Sequence, residues 1–142
     1  MVFLYLIFTK IFTMTIFSKI INGQIPSYKI AENEKFFAFL YISPLVTGHV
    51  LVAPKNETDK IFDLPDDYLA ELLIFAKPVG NAIQKAFDCN RCGIVVMGLE
   101  VPQAHMHLVT INSANDLNFT RAKLTVSPEE LQADQHTILW QF

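Results

Sequence analysis

The stretch "VPQAHMHLVT" (residues 101–110) sets Gln103, His105 and His107 at every second position of an otherwise apolar run, and Val109 continues the series. Side chains alternate faces along a β-strand. The spacing therefore predicts one strand that presents Gln103, His105 and His107 on one face and Ala104, Met106, Leu108 and Thr110 on the other. Residues two apart on a strand lie roughly 6.5 to 7 Å from each other, close enough for two imidazoles to reach a single phosphate group. By pattern alone three readings stay open. The pair is a solvated decoration of an exposed sheet face, or a metal site in which His49 supplies a third nitrogen, or a catalytic pair that uses the near-neutral pKa of histidine. No nearby Asp, Glu or Cys completes a metal set.

Working outward, "GIVVM" (93–97) reads as a neighbouring strand, joined to 104–111 through "GLEVPQ". Upstream, "YKIAE" (28–32) and "FFAFLYI" (36–42) flank the polar turn "NEK" and predict a hairpin, and "HVLVA" (49–53), stopped by Pro54, predicts a further strand. Between these groups the period changes. Leu69, Leu72, Leu73, Ala76, Val79, Ile83 and Ala86 fall on one stripe of a long helix from about Pro65 to Phe87, with Asp66 and Asp67 at its N-terminus. Pro78 inside it is expected to kink or divide it. A short helix is expected over 16–22, closed by Gly23 and Pro26, and Ser127 with Glu130 forms a capping-box pattern for a late helix. Helices and strands are segregated rather than alternating, which predicts an α+β fold on an antiparallel sheet of about five strands.

The chain has 142 residues, 51% of them apolar or aromatic, which suits one domain with a substantial core. Its 14 acidic and 11 basic residues give a formal charge of -3 and are scattered without blocks, so no nucleic-acid partner is expected. Cys89 and Cys92 form a lone C-x-x-C, with no second pair for a structural zinc site and no strand-to-helix redox context; they read as ordinary thiols of a reducing, cytoplasmic compartment. The opening "MVFLYLIFTKIFT" (1–13) is apolar but lacks a basic start, a cleavage site and the length to span a bilayer. We expect a single domain over 14–142 that begins at Met14, with 1–13 a non-native or disordered extension, and no membrane partner.

With these segments side by side, the chain resembles the histidine triad (HIT) proteins, nucleotide hydrolases and transferases. The resemblance rests on "IFSKIINGQIPSYKIAENEKFFAFLYISPLVTGHVLVAPK" (16–55), "GLEVPQAHMHLVTIN" (98–112) and "DLNF" (116–119), and it covers nearly everything from Thr15 to about residue 130. The family signature is His-x-His-x-His followed by two apolar residues. Here it reads Gln103-x-His105-x-His107-Leu108-Val109, with the first histidine replaced. The resemblance implies that His105 attacks the α-phosphorus of a purine nucleotide conjugate and forms a nucleotidyl-histidine that water resolves. It further implies that His107 holds phosphate oxygens, that His49 borders the same pocket, and that the protein is a homodimer built through the long helix and the strand before the triad.

Three departures bear on the chemistry. Tyr41 stands where the family commonly has the Asp that binds ribose hydroxyls, and Met97 where an Asn helps to hold the phosphate. Gln103 cannot carry a proton at neutral pH, and exchanging a charged donor for a neutral amide is expected to remove about 1 to 2 kcal/mol of transition-state stabilisation, roughly one decade of rate. Some members bind zinc through two cysteines near the start together with histidines, the first of the triad among them. Thr15, Ser18 and Gln103 occupy those positions, so neither a metal nor another cofactor is expected. The expected function is a HIT-type nucleotide phosphohydrolase or transferase, attenuated by these changes. The alternative is a non-catalytic scaffold that binds a nucleotide or a partner.

Overall fold

The computed structural model describes residues 14–142. The 1–13 segment, expected to be an extension, lies outside the described residues. The chain runs through α1 (Ile16–Ile21), β1 (Lys29–Glu32), β2 (Phe36–Leu40), β3 (Val50–Pro54), a 3-10 turn (Ile61–Asp63), α2 (Asp66–Ala86), β4 (Arg91–Val95), β5 (Met106–Ile111), a second 3-10 turn (Ala114–Leu117) and α3 (Pro128–Leu139). The five strands form one antiparallel sheet in the order β1-β2-β3-β5-β4. This is the α+β architecture the periodicities predict.

The two sheet faces are covered differently. Ala38, Leu40, Val50, Val52, Met106 and Leu108 pack with Leu72, Ala76, Val79 and Ile83 of α2 and with Leu131 and Ile138 of α3. The opposite face holds Phe37, Phe39, Leu51 and Ala53 against Phe17 of α1. Strands buried on both faces read as continuous apolar runs, which is why "FFAFL" is buried at every position. Removing a fully buried side chain such as Leu72 or Ile83 by mutation to Ala costs about 2–5 kcal/mol. The register aligns Phe39, Leu51 and His107 across β2, β3 and β5, with Val95 of β4 completing the row. His107 is thereby set on the α1 side of the sheet.

Several expectations need correction. Pro78 does not divide α2, which runs unbroken for 21 residues. Ile74, whose carbonyl loses its partner to the proline, is exposed, as is Pro78, so the freed acceptor lies on the solvent side of the helix while Ala76, Val79, Ala82 and Ile83 hold the inner face. Leu73, expected on the buried stripe, is 51% exposed. The fourth strand spans 91–95 rather than 93–97, which puts Met97 in the following loop. The fifth begins at Met106, so Gln103 and His105 precede the strand and only His107 lies in it. Ser127 caps α3 as expected, accepting from the Glu130 N–H at 3.1 Å. Among the described residues no helix is long and apolar enough to cross a membrane.

Candidate active site

His49 follows Gly48, whose φ of +84° is open to glycine at little cost. A side chain at Gly48 would also meet the Phe87 ring at 2.5 Å. The tight turn delivers His49 to the sheet with no exposed surface at all. Its Nδ1 lies 3.1 Å from the Leu45 backbone nitrogen, and its Nε2 lies 2.9 Å from Nδ1 of His107. A backbone N–H only donates, so His49 Nδ1 is the acceptor. The neutral ring then carries its proton on Nε2 and donates to His107 Nδ1. His107 in turn carries its proton on Nε2, the nitrogen left over. Two buried contacts thus fix the tautomers of both rings.

His105 is fixed by the opposite logic. Its Nδ1 lies 2.7 Å from the Gln103 carbonyl oxygen, which only accepts, so Nδ1 carries the proton and Nε2 keeps its lone pair. The loop that makes this contact is tied by bonds from Gln103 N–H to the Val101 carbonyl and from Ala104 N–H to the Thr58 carbonyl, both 2.8 Å. The Phe17 ring packs edge-on against His105 at 4.7 Å, and His107 lies 4.9 Å from it, centroid to centroid.

Burial disfavours the charged form of all three rings. It pushes His107 down to about 4, with the nearby His105 and Lys123 adding to the effect. His49 falls to about 3, chiefly through burial and then the adjacent His107. His105 is lowered by burial, opposed by the Gln103 carbonyl and by Glu100. At neutral pH the cluster is therefore uncharged, with one free lone pair and one outward N–H.

A cavity of about 590 Å³ opens in front of His105 and His107. Tyr41 and Met97 both line it, as the sequence places them, together with Phe17, Phe39, Leu51 and Val101. Burial, and secondarily Glu100, holds the Tyr41 phenol above its ordinary range, so it faces the cavity as a neutral O–H. His49 and Gln103 do not line the cavity. His49 sits behind His107. The Gln103 side chain, fully buried, turns the other way. Its amide nitrogen donates to the carbonyls of Pro54 (2.8 Å) and Asn56 (3.3 Å), and its oxygen accepts from the hydroxyls of Thr15 and, at 3.5 Å, Ser18. Gln103 thus ties the end of β3 and the start of α1 to the loop that carries His105.

The residues at positions 15, 18 and 103 are neutral groups that satisfy one another with hydrogen bonds, a donor set that does not fit zinc. Among the described residues no group of three or more His, Cys, Asp or Glu side chains is placed to hold a metal ion. Cys89 and Cys92 are free thiols, and burial pushes Cys92 up to about 11. Sequence reasoning did not single out Phe17, Glu100, Phe119 or Lys123, all of which line the cavity. Phe119 lies inside the quoted "DLNF", whereas nothing in the local pattern marks Lys123.

Comparison with known proteins places the fold. Residues 22–113 match the model of the HIT domain. An uncharacterized HIT-like protein of Borreliella burgdorferi is 32% identical over 82% of this chain and 90% of its own length. An adenosine 5'-monophosphoramidase of Schizosaccharomyces pombe is 33% identical over 83% of this chain and 90% of its own. The crystal structure of a HIT family protein from Bacillus anthracis superposes with a TM-score of 0.69 at 30% identity, covering 92% of this chain and 98% of that one. With its five-stranded antiparallel sheet and the histidine-bearing strand at 106–111, the chain belongs to the HIT domain family.

Proposed function

We propose that the protein is a nucleotide phosphohydrolase or transferase that acts at the α-phosphorus of a purine nucleotide conjugate, with His105 as nucleophile. The observation that carries this is the 2.7 Å contact from His105 Nδ1 to the Gln103 carbonyl, which leaves the Nε2 lone pair available on a neutral ring at the cavity wall. Nε2 attacks the phosphorus, the bond to the leaving group breaks with its electron pair passing to that group, and the group takes up a proton from solvent as it departs. Water then attacks the phosphorus and gives up a proton to solvent, the P–N bond returns its electrons to Nε2, and the nucleoside monophosphate is released. Two easier displacements replace one. The His107 Nε2–H, held by the contact from His49, is suited to donate to a phosphoryl oxygen as charge builds on it. The apolar side chains of Phe17, Phe39, Leu51 and Val101 suit a flat base. The likeness to an adenosine 5'-monophosphoramidase supports the same class of substrate.

In this reading Gln103 stands in place of the first triad histidine, and its role is to hold the nucleophile loop rather than to touch substrate. The substitution then acts on catalysis only through position. Tyr41 and Met97 favour the second reading, a binding scaffold, because both line the cavity where the family commonly has polar contacts to ribose and phosphate. We further propose a single domain starting at Met14, a cytoplasmic location, and a homodimer across α2 and the edge strand β4. Leu73, Ile74 and Ile94 on those adjoining elements are 51%, 69% and 50% exposed, which supports the dimer.

The test of the catalytic reading is turnover. Adenosine 5'-phosphoramidate is expected to be hydrolysed by the full chain and not by His105→Ala. Binding of adenosine monophosphate with no turnover of phosphoramidates or dinucleoside polyphosphates would instead favour the scaffold.

A further inference from the structure

Beyond residue 113, where the family match ends, the chain folds back over the histidines. Leu124 N–H donates to the Pro44 carbonyl at 2.9 Å, and Arg121 Nη2 donates to the Leu45 carbonyl at 2.8 Å. Arg121 is steadied by Asp116, 3.6 Å from its Nη1. These bonds strap residues 118–124 onto the loop that leads into His49. The strap becomes a cavity wall bearing Phe119, Thr120 and Lys123. The Phe119 ring stands edge-on to His107, 4.8 Å between centroids.

Among the described residues Lys123 is the one Lys or Arg side chain on the cavity lining. Its Nζ donates to the Phe119 carbonyl at 2.9 Å and lies 5.4 Å from the centre of the Phe119 ring, which holds the ammonium in place. Among the described residues no carboxylate reaches it within ion-pair distance. An ammonium has three donors, and the protein uses one. The imidazoles of His105 and His107 are uncharged at neutral pH, so they do not balance a multiply charged substrate. Among the described residues Lys123 is the positive charge on the lining available to do so, and the apolar side chains around it screen its attraction for an anion less than bulk water does.

We propose that Lys123 is a specificity-determining residue that binds an anionic group of the substrate beyond the reacting phosphate, so that the cavity prefers nucleoside diphosphate and polyphosphate conjugates to phosphoramidates with an uncharged leaving group. This rests on the reading of the cavity as a purine-nucleotide site. Phe119 then serves as the spacer between the reacting phosphate at His107 and the second anion at Lys123. The wall lies beyond the matched domain, and Lys123 on it sets the leaving-group preference.

Calorimetry on the full chain tests this without requiring turnover, with adenosine monophosphate and α,β-methylene adenosine diphosphate as ligands. The unaltered protein is expected to bind the diphosphate analogue about tenfold more tightly than the monophosphate. Lys123→Met should bring the two within about twofold by weakening the diphosphate alone, and Lys123→Arg should keep the gap. A gap absent from the unaltered protein, a gap that survives Lys123→Met, or an equal loss for both ligands overturns the proposal. A gap that Lys123→Met abolishes, in a protein that forms no adduct on His105, supports the proposal and counts against the catalytic reading alone.

Discussion

Nε2 of His49 lies 2.9 Å from Nδ1 of His107, and the Leu45 N–H on the far side of His49 leaves this bond only one direction. A residue that never reaches the cavity thereby decides which nitrogen of its neighbour faces substrate with a proton. His49→Leu is expected to leave His107 Nδ1 without its donor and its tautomer unfixed. Turnover should fall by about 10²-fold, with a smaller change in KM, because the lost interaction forms mainly as charge develops. Steady-state kinetics check the split, and a change confined to KM would count against it.

Gln103 yields a prediction opposite to the one its sequence position invites. Its amide is fully buried and bonded at both ends, so a histidine introduced there inherits contacts shaped for another group. Gln103→His should not raise turnover and should destabilise the fold by about 1–3 kcal/mol, measured by denaturant unfolding. A gain of a decade in rate would show that the side chain at 103 reaches the substrate.

The buried imidazoles make stability depend on pH in a defined window. With folded values of about 4 for His107 and about 3 for His49, both rings stay neutral in the fold while the unfolded chain takes up protons below about 6.5. Above that value neither ring contributes a slope. Below it the unfolded state binds more protons, so stability falls as pH falls, by on the order of 1.4 kcal/mol per pH unit for each ring until the folded values are reached. Unfolding midpoints from pH 7.5 to pH 4.5 should decline on the acid side, and His49→Leu should flatten part of that decline.

For the proposed dimer, Ile94→Lys on the edge strand is the direct probe. It places a charge where β4 would meet its partner copy, while Ile94 is already half exposed in the single chain. Sedimentation at micromolar concentration should show the unaltered chain as a dimer and the variant as a monomer with its far-ultraviolet spectrum retained. A monomeric unaltered chain would contradict the interface.

The sheet was legible because apolar runs rich in branched and aromatic side chains and the stop at Pro54 are local, and so was the long helix, whose inner stripe at Leu72, Ala76, Val79 and Ile83 is a property of spacing. Of the candidate cavity, Tyr41, Met97, His105 and His107 were legible in the sequence, whereas the directions of His49 and Gln103 were not. His105 leaves the strand because Gln103 N–H and Ala104 N–H are spent on Val101 and Thr58, and the second of these is a contact across 46 positions of sequence. Gln103 faces away because Thr15, Pro54 and Asn56 converge on it from two other elements. Lys123 joins the cavity only through bonds that strap its segment to Pro44 and Leu45. Each is a tertiary hydrogen bond between distant segments, which no local periodicity encodes.

The central claim is that a free lone pair on His105 takes a nucleotidyl group. Acid-quenched intact-mass spectrometry of the full chain mixed with an adenosine phosphoramidate or a dinucleoside polyphosphate tests it most directly. A transient gain equal to one adenylyl group, mapped to His105 and absent from His105→Ala, is expected. Turnover with no adduct at any quench time, or an adduct that persists in His105→Ala, would contradict it.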